Sequence, residues 1–262
     1  MIRSRILLTA AAAGVLGPAV HAEDAPSSPH HFTSNVGVYS QYVFRGLTQT
    51  RERPALQGGF DYANDNGFYV GTWLSNISWF SDTNGGTSSF EWDGYGGFRK
   101  TWDSGFLTDV GYLRYEYPGS YPALAPGTVK PNTDEIYLGL GWKWATLKYS
   151  YSLGDTFGVD EAKGTSYLDL TLSIPLPQGF GVSLHAGQQK FKGSSAYAES
   201  IGVDNDDLYT YEDYKATLSY AFGGTWSLAG SFTHSSAKDA GYTVLGKNLG
   251  DDQVVVSLSR AF

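Results

Sequence analysis

Long stretches in which apolar and polar side chains strictly alternate constrain this chain more than any other feature. Residues 165–176 carry Leu168, Leu170, Leu172, Ile174 and Leu176 on even positions, against Tyr167, Asp169, Thr171, Ser173 and Pro175 on odd ones. Residues 134–144 set Ile136, Leu138, Leu140, Trp142 and Trp144 against Glu135, Tyr137, Gly139, Gly141 and Lys143. Successive side chains of a strand point to opposite faces, so a period of two marks strands with one greasy and one polar or tiny face. Twelve segments follow the pattern: 33–45, 54–63, 68–78, 89–102, 106–117, 134–144, 146–154, 165–176, 180–191, 211–222, 225–235 and 252–262. Tight connections at 64–67, 103–105, 177–179 and 223–224 hold Asn, Asp and Gly, which tolerate the positive φ of short hairpins. They alternate with longer polar connections at 46–53, 80–87, 118–133, 155–164, 192–210 and 237–251. The chain reads as all-β, one domain of six hairpins over residues 32–262. Trp73, Ile77, Leu113 and Tyr115 break the parity, which a β-bulge or a strand end above a membrane would explain.

Alternation alone does not say whether the apolar face meets a core or lipid. Three observations place it outside. Beside the short turns the apolar parity is mostly aromatic: Tyr62, Phe68, Trp102, Phe106, Trp142, Trp144, Phe180, Tyr220, Phe222 and Trp226. Rings gathered at one level form an interfacial girdle, which a soluble core has no reason to make. The opposite strand ends carry Tyr42, Phe44, Phe90, Trp92, Tyr112, Tyr214 and Phe232. From Trp92 to Trp102 is about 33 Å along a strand, or about 25 Å of height at ~40° of tilt, the expected apolar band. The polar parity holds charges at strand centres, tolerable only beside water or an opposite charge. The expectation is a transmembrane up-and-down antiparallel β-barrel of about twelve strands.

Composition agrees. The chain has 7 Trp, 19 Tyr, 14 Phe and 33 Gly but only 17% charged residues and no cysteine, which excludes thiolate chemistry and a disulfide scaffold. A mean hydropathy of −0.26 excludes a polytopic helical membrane protein. Residues 1–22 read as a secretory signal: Arg3 and Arg5, an apolar stretch, then Val20-His21-Ala22 before Glu23. Its removal takes away two arginines and moves the net charge from −8 to −10, and an acidic exported chain makes no case for nucleic acid. Residues 23–31 (EDAPSSPHH) read as a flexible periplasmic lead-in.

The strings at 34–50 (SNVGVYSQYVFRGLTQT), 54–63 (PALQGGFDYA) and 67–78 (GFYVGTWLSNIS) resemble the TorF-type porin family, also called the Gcw_chp domain. The resemblance implies a bacterial outer-membrane β-barrel and a channel, and brings no catalytic residues with it. The end at Phe262, preceded at the same parity by Leu258, Val256 and Val254, resembles the C-terminal signal read by the barrel assembly machinery. Arg260 departs from that signal.

The inward parity supplies the candidate pore-lining residues: Gln41, Arg45, Asp61, Glu91, Asp93, Arg99, Asp109, Glu135, Lys143, Lys148, Asp169, His185, Gln189, Asp213 and Lys215. With Glu116 counted among them, acids exceed bases, so the expected activity is passive diffusion of small neutral or cationic solutes without cofactor or metal. Opposed charges that pair and plug the tube are the bland alternative. Arg45 and Arg99 facing Glu91 and Asp93 are the expected source of a transverse field, and 192–210 the expected lid. Glu199, Asp204, Asp206 and Asp207 read as a solvated acidic loop rather than a divalent site, with bridging to lipopolysaccharide an intermediate reading. The rival readings are a lipid hydrolase using His234 near Ser235 and Ser236, and a structural or adhesive barrel without conductance.

Overall fold

The computed structural model describes residues 28–83, 86–122 and 124–262. The leader at 1–22 and residues 23–27 of the lead-in lie outside the described residues. Twelve antiparallel strands close into one barrel. They are β1 (His30–Tyr39), β2 (Ala55–Asn64), β3 (Phe68–Asn76), β4 (Phe90–Thr101), β5 (Phe106–Glu116) and β6 (Thr133–Trp142). β7 (Ala145–Ser152), β8 (Ser166–Pro175), β9 (Phe180–Lys190), β10 (Tyr211–Phe222), β11 (Trp226–Ser235) and β12 (Gln253–Ala261) complete the wall. Each strand pairs with its sequence neighbours, and β1 closes on β12 from Asn35↔Ala261 to Tyr39↔Ser257. This is the expected up-and-down topology.

The register keeps one parity outside all round. Leu172↔Leu184, Val182↔Leu218 and Leu228↔Leu258 meet on the outer face; Asp169↔Lys148, Ser183↔Thr217 and Ser227↔Ser259 meet on the inner one. Phe60, Val110, Leu218 and Val254 are among many large apolar side chains left exposed on the wall. An apolar belt encircling a molecule is solvated by lipid, so the barrel is transmembrane. Exposed Phe68, Trp102, Phe106, Trp142, Trp144, Phe180, Tyr220 and Phe222 ring the tight-turn end, and Phe90, Trp92, Tyr112, Tyr214 and Phe232 the other. At the tight turns the chain needs positive φ: Gly67 sits at +104°, where a Cβ would strike the Arg99 carbonyl.

The largest departure from expectation concerns the first long connection. β1 stops at Tyr39, and residues 40–54 turn into the barrel as a small ribbon, Val43–Phe44 against Leu47–Thr48. Tyr42 and Phe44 therefore do not belong to the outer ring, and Tyr42 is only 2% exposed. Ile77 lies one residue past the end of β3, while neither a bulge nor a strand end accounts for Trp73, Leu113 and Tyr115. β3–β4 and β4–β5 pair without interruption (Trp73↔Asp93, Tyr95↔Leu113, Asp93↔Tyr115), so these side chains point inward. They pack with Tyr42, Ala55, Tyr117 and Tyr137 into an apolar core inside the barrel, flanked by Phe44 and Phe157. Apolar groups facing inward are stable here because the ribbon removes the water they would otherwise meet.

Residues 192–210 form two short helices, Ala196–Ser200 and Asn205–Tyr209, capped by the Ser195 and Asp204 side chains. Their apolar contacts are Val159, Ala162, Phe191 and Tyr242, so they pack on neighbouring connections. The segment that fills the bore is 40–54. The last residues of the expected lead-in, His30 and His31, are the start of β1, where His31 Nε2 lies 2.8 Å from Asp65 Oδ1.

Candidate functional site

The lumen divides into two unlike halves. One, behind β3–β6, is filled with aromatic rings and ion pairs. The other, behind β9–β12, mixes Ser, Thr and Ala with longer polar groups, among them His185, Gln189, Asp213, Lys215 and Gln253.

Arg45 dominates the filled half. It sits at the tip of the ribbon with φ +44°, beside Gly46 at +78°, which passes so near Asp213 that a Cβ would lie 2.5 Å from the aspartate Cβ. The guanidinium reaches across the bore to β6, where Nη1 donates to Glu135 Oε1 at 2.9 Å and Nη2 to Glu135 Oε2 at 2.8 Å. Nη1 also donates to Gln189 Oε1 at 3.0 Å and Nη2 to the Tyr115 hydroxyl at 3.3 Å. Its flat face lies 4.3 Å from the Tyr167 ring centroid and 5.6 Å from that of Phe157. The two charged side chains are 7% and 2% exposed. Such a pair is shielded from salt, and the parallel fork is the geometry a guanidinium favours with a carboxylate.

Other bonds hold the ribbon independently of Arg45. The Tyr42 hydroxyl donates to Glu91 Oε1 at 2.8 Å, and Gln41 Nε2 donates to Gln253 Oε1 at 2.8 Å and to the Val254 carbonyl at 3.1 Å. Thr48 Oγ1 donates to Gln41 Oε1, and the Thr48 amide donates to the Leu249 carbonyl, both at 2.8 Å. Outside the wall, Asp82 ties the same connection down through Arg51 and Arg53. Burial pushes the Asp82 carboxyl up, but the Arg51 and Arg53 guanidinium groups beside it outweigh that and hold the group below the usual carboxylate range.

Toward the tight-turn end a second network runs along the inner wall of β2–β7. Arg99 Nη2 lies 2.7 Å from Asp109 Oδ2, Asp109 Oδ1 accepts from the Tyr69 hydroxyl at 2.6 Å, and that hydroxyl also bonds the Tyr137 hydroxyl. Tyr95 donates to Asp61 at 2.6 Å, and the Lys148 ammonium lies 4.0 Å from the Tyr137 ring centroid. On β8–β10, Asp213 accepts from Tyr167 at 2.8 Å, while its other oxygen lies 2.9 Å from His185 Nε2. Asp169 Oδ2 stands 3.4 Å from His185 Nδ1.

The expected opposition of Arg45 and Arg99 to Glu91 and Asp93 is therefore not the one formed: Glu135 and Asp109 take the two guanidinium groups. Fourteen of the fifteen candidate residues stand on the inner wall or the inserted ribbon. Lys143 does not. It occupies the turn between β6 and β7 with φ +54°, its ammonium over the Trp142 ring, because the strand ends two residues earlier than its alternation does. Glu116, also counted with the acids, shares the outer parity of Arg114 and pairs with Arg114 and Lys130 at the rim. Among the described residues no carboxylate lies within ion-pair distance of Lys148 or Lys215, and none of Asp61, Glu91 and Asp93 has a cationic partner.

Sequence reasoning missed the inner tyrosines: Tyr69, Tyr95 and Tyr167 donate to Asp109, Asp61 and Asp213, and Tyr137 joins them through the Tyr69 hydroxyl. Their inward parity was visible; their partners needed the register.

The hydroxyls of this wall are Ser183, Thr217, Ser219, Ser227, Ser231 and Ser257. Where the ribbon meets the wall it leaves a cavity of about 30 Å³, bordered by Gln41, Gln57, Lys215, Thr217 and Ser231 together with Tyr42, Ala229 and Val255.

At the rim His234 has a carboxylate partner that the sequence did not reveal, Asp252 Oδ1 at 2.7 Å. Among the described residues no serine or threonine hydroxyl bonds that imidazole: Ser235 is buried inside, and Ser236 Oγ accepts from the Glu212 amide. Asp204 and Asp206 are engaged by the Asp207 amide and the Thr210 hydroxyl, and no cluster of metal-ligating side chains occurs among the described residues.

Comparison with solved structures returns barrels. The structure described as "KdgM porin" superposes with a TM-score of 0.54 at 10% identity over 88% of this chain and 99% of that one. "NanC porin structure in rhombohedral crystal form" gives 0.51 at 9% identity over 88% and 99%. At that identity the likeness is one of fold. Among curated protein sequences none matches. The model of the family described as "Bacterial protein of unknown function (Gcw_chp)" matches residues 23–262, all but the first 22 residues, in line with the strings at 34–78. The chain belongs to the Gcw_chp family.

Proposed function

We propose that this barrel is an outer-membrane channel for passive diffusion of small hydrophilic solutes, favouring neutral and cationic ones. The observation that carries the reading is the run of hydroxyls on the inner face of β9–β12, interrupted by Ala229 and Val255, beside the half that the aromatic rings and ion pairs fill. In the bore, Asp61, Glu91, Asp93, Asp109, Glu135, Asp169 and Asp213 outnumber Arg45, Arg99, Lys148 and Lys215, and charges of one sign in a low-dielectric tube favour the opposite sign in transit. The two porins that share the fold support the channel reading, and the leader together with Phe262 supports export and assembly into the outer membrane, beside lipopolysaccharide. The narrow passage predicts small unit conductance. Purified protein in planar bilayers under a KCl gradient is expected to show discrete channels with a cation-selective reversal potential, and liposome swelling to admit small sugars and amino acids. Silent bilayers overturn the channel and leave a structural or adhesive barrel; strong anion selectivity overturns the charge argument.

A further inference from the structure

Arg45 occupies a pocket more elaborate than an anchoring contact needs. Glu135 offers both oxygens to one guanidinium, Gln189 and Tyr115 accept from its remaining edge, and Tyr167 and Phe157 cover its faces. A planar fork with acceptors along two edges and rings on its faces suits a guanidinium and not a compact ammonium. The latch itself is redundant, since Tyr42, Gln41 and Thr48 fasten the ribbon through separate bonds. Around the pocket, acceptors outnumber donors. Asp93 stands opposite Tyr115 in the β4–β5 register and is 1% exposed, yet neither carboxylate oxygen has a partner; Glu91 Oε2 is likewise unmatched. Buried carboxylate oxygens without partners are costly, and they leave acceptor capacity unmet near the one guanidinium in place.

We propose that the chamber formed by Glu135, Gln189, Tyr115, Tyr167 and Phe157 is a binding site for free guanidinium groups, which Arg45 occupies as a tethered stand-in. Solutes carrying a guanidinium exchange with Arg45 in this chamber, while Asp93 and Glu91 supply spare acceptors during the exchange. The inference deepens the channel reading, and rests on it for the route by which a solute arrives. Recognition in the chamber itself is independent of conductance.

The test uses the full-length mature protein in detergent micelles, with Arg45→Ala to empty the chamber and methylguanidinium as probe. Thermal unfolding of Arg45→Ala is expected to rise saturably with methylguanidinium, with methylammonium about tenfold weaker because it lacks one charge-assisted hydrogen bond. Arg45→Ala combined with Glu135→Gln is expected to abolish the difference between the two probes. Wild type is expected to need higher methylguanidinium, since Arg45 competes. Should Arg45→Ala fail to fold, Arg45→Lys keeps the charge without the fork and is expected to respond to methylguanidinium at lower concentration than wild type. Equal response to both probes, or a preference that survives Glu135→Gln, overturns the proposal. Bilayer recordings of wild type separate the two readings: binding without conductance removes the channel and keeps the site, and conductance without binding does the reverse.

Discussion

The assignment of faces can be tested by moving one arginine a single residue along β10. Leu218 is 55% exposed and lies four residues from Tyr214 and four from Phe222, the rings that mark the two interfaces on its strand. At about 3.4 Å per residue and a tilt of about 40°, it stands about 10 Å from either ring level, near the middle of the apolar band. Its cross-strand neighbours on that face, Val182 and Gly230, offer no polar group. An arginine there costs about 2–4 kcal/mol at the midplane, which lowers the folding equilibrium about thirty- to several-hundred-fold. Thr217 shares the backbone neighbourhood but faces Ser183 and Ser231 across the hydroxyl wall. Thr217→Arg keeps its charge on the polar side of the wall and is expected to cost less than Leu218→Arg. Reversible denaturant titration in vesicles, read by tryptophan fluorescence, measures both. Equal costs, or the larger cost at Thr217, would refute the placement of the wall in lipid.

Two further outcomes follow from particular contacts. Gly187→Ala places a methyl against the Tyr167 hydroxyl and 2.6 Å from Asp213 Oδ2, so it is expected to lose about 1–3 kcal/mol by overpacking, measurable in the same titration. Gly230→Ala, with nothing within 4 Å, is the matched control and is expected to be near neutral. Asp82, held below its unfolded value, stabilises the clasp to Arg51 and Arg53 above the ordinary carboxylate range, and that contribution disappears as pH falls through the depressed value. Side-chain NMR signals of the two guanidinium groups are therefore expected to hold constant from neutral pH down past 5 and then move, with no such step in Asp82→Asn. The Arg53 half of the clasp is too exposed to contribute more than about 1 kcal/mol.

The wall was legible because strand parity is a local property: each segment announces its two faces without reference to its neighbours. Closure, strand number and outward face all descend from it. The Arg99–Asp109 pair was legible in principle too, since a hairpin turning at 103–105 sets those residues opposite one another. Arg45 with Glu135 was not, because the two are brought together by a connection that folds inward. The residues at 40–45 continue the alternation of β1 and locally read as more strand. The one hint lay on the other side of the contact. Trp73, Ile77, Leu113 and Tyr115 put apolar surface where water was expected, and only something apolar inside the tube could account for it. Lys143 shows the opposite failure, a parity that runs on past the last hydrogen-bonded pair.

The inserted ribbon gives the molecule two unlike kinds of cohesion. The wall is held by inter-strand hydrogen bonds in a medium that offers no competing partners, and these are indifferent to modest cooling. Tyr42 and Phe44 are held against Trp73, Leu113 and Tyr115 by the expulsion of water, a force that fades toward low temperature. In the cold, the plug's aromatic contacts weaken first, and its hydrogen bonds and the cylinder hold longer.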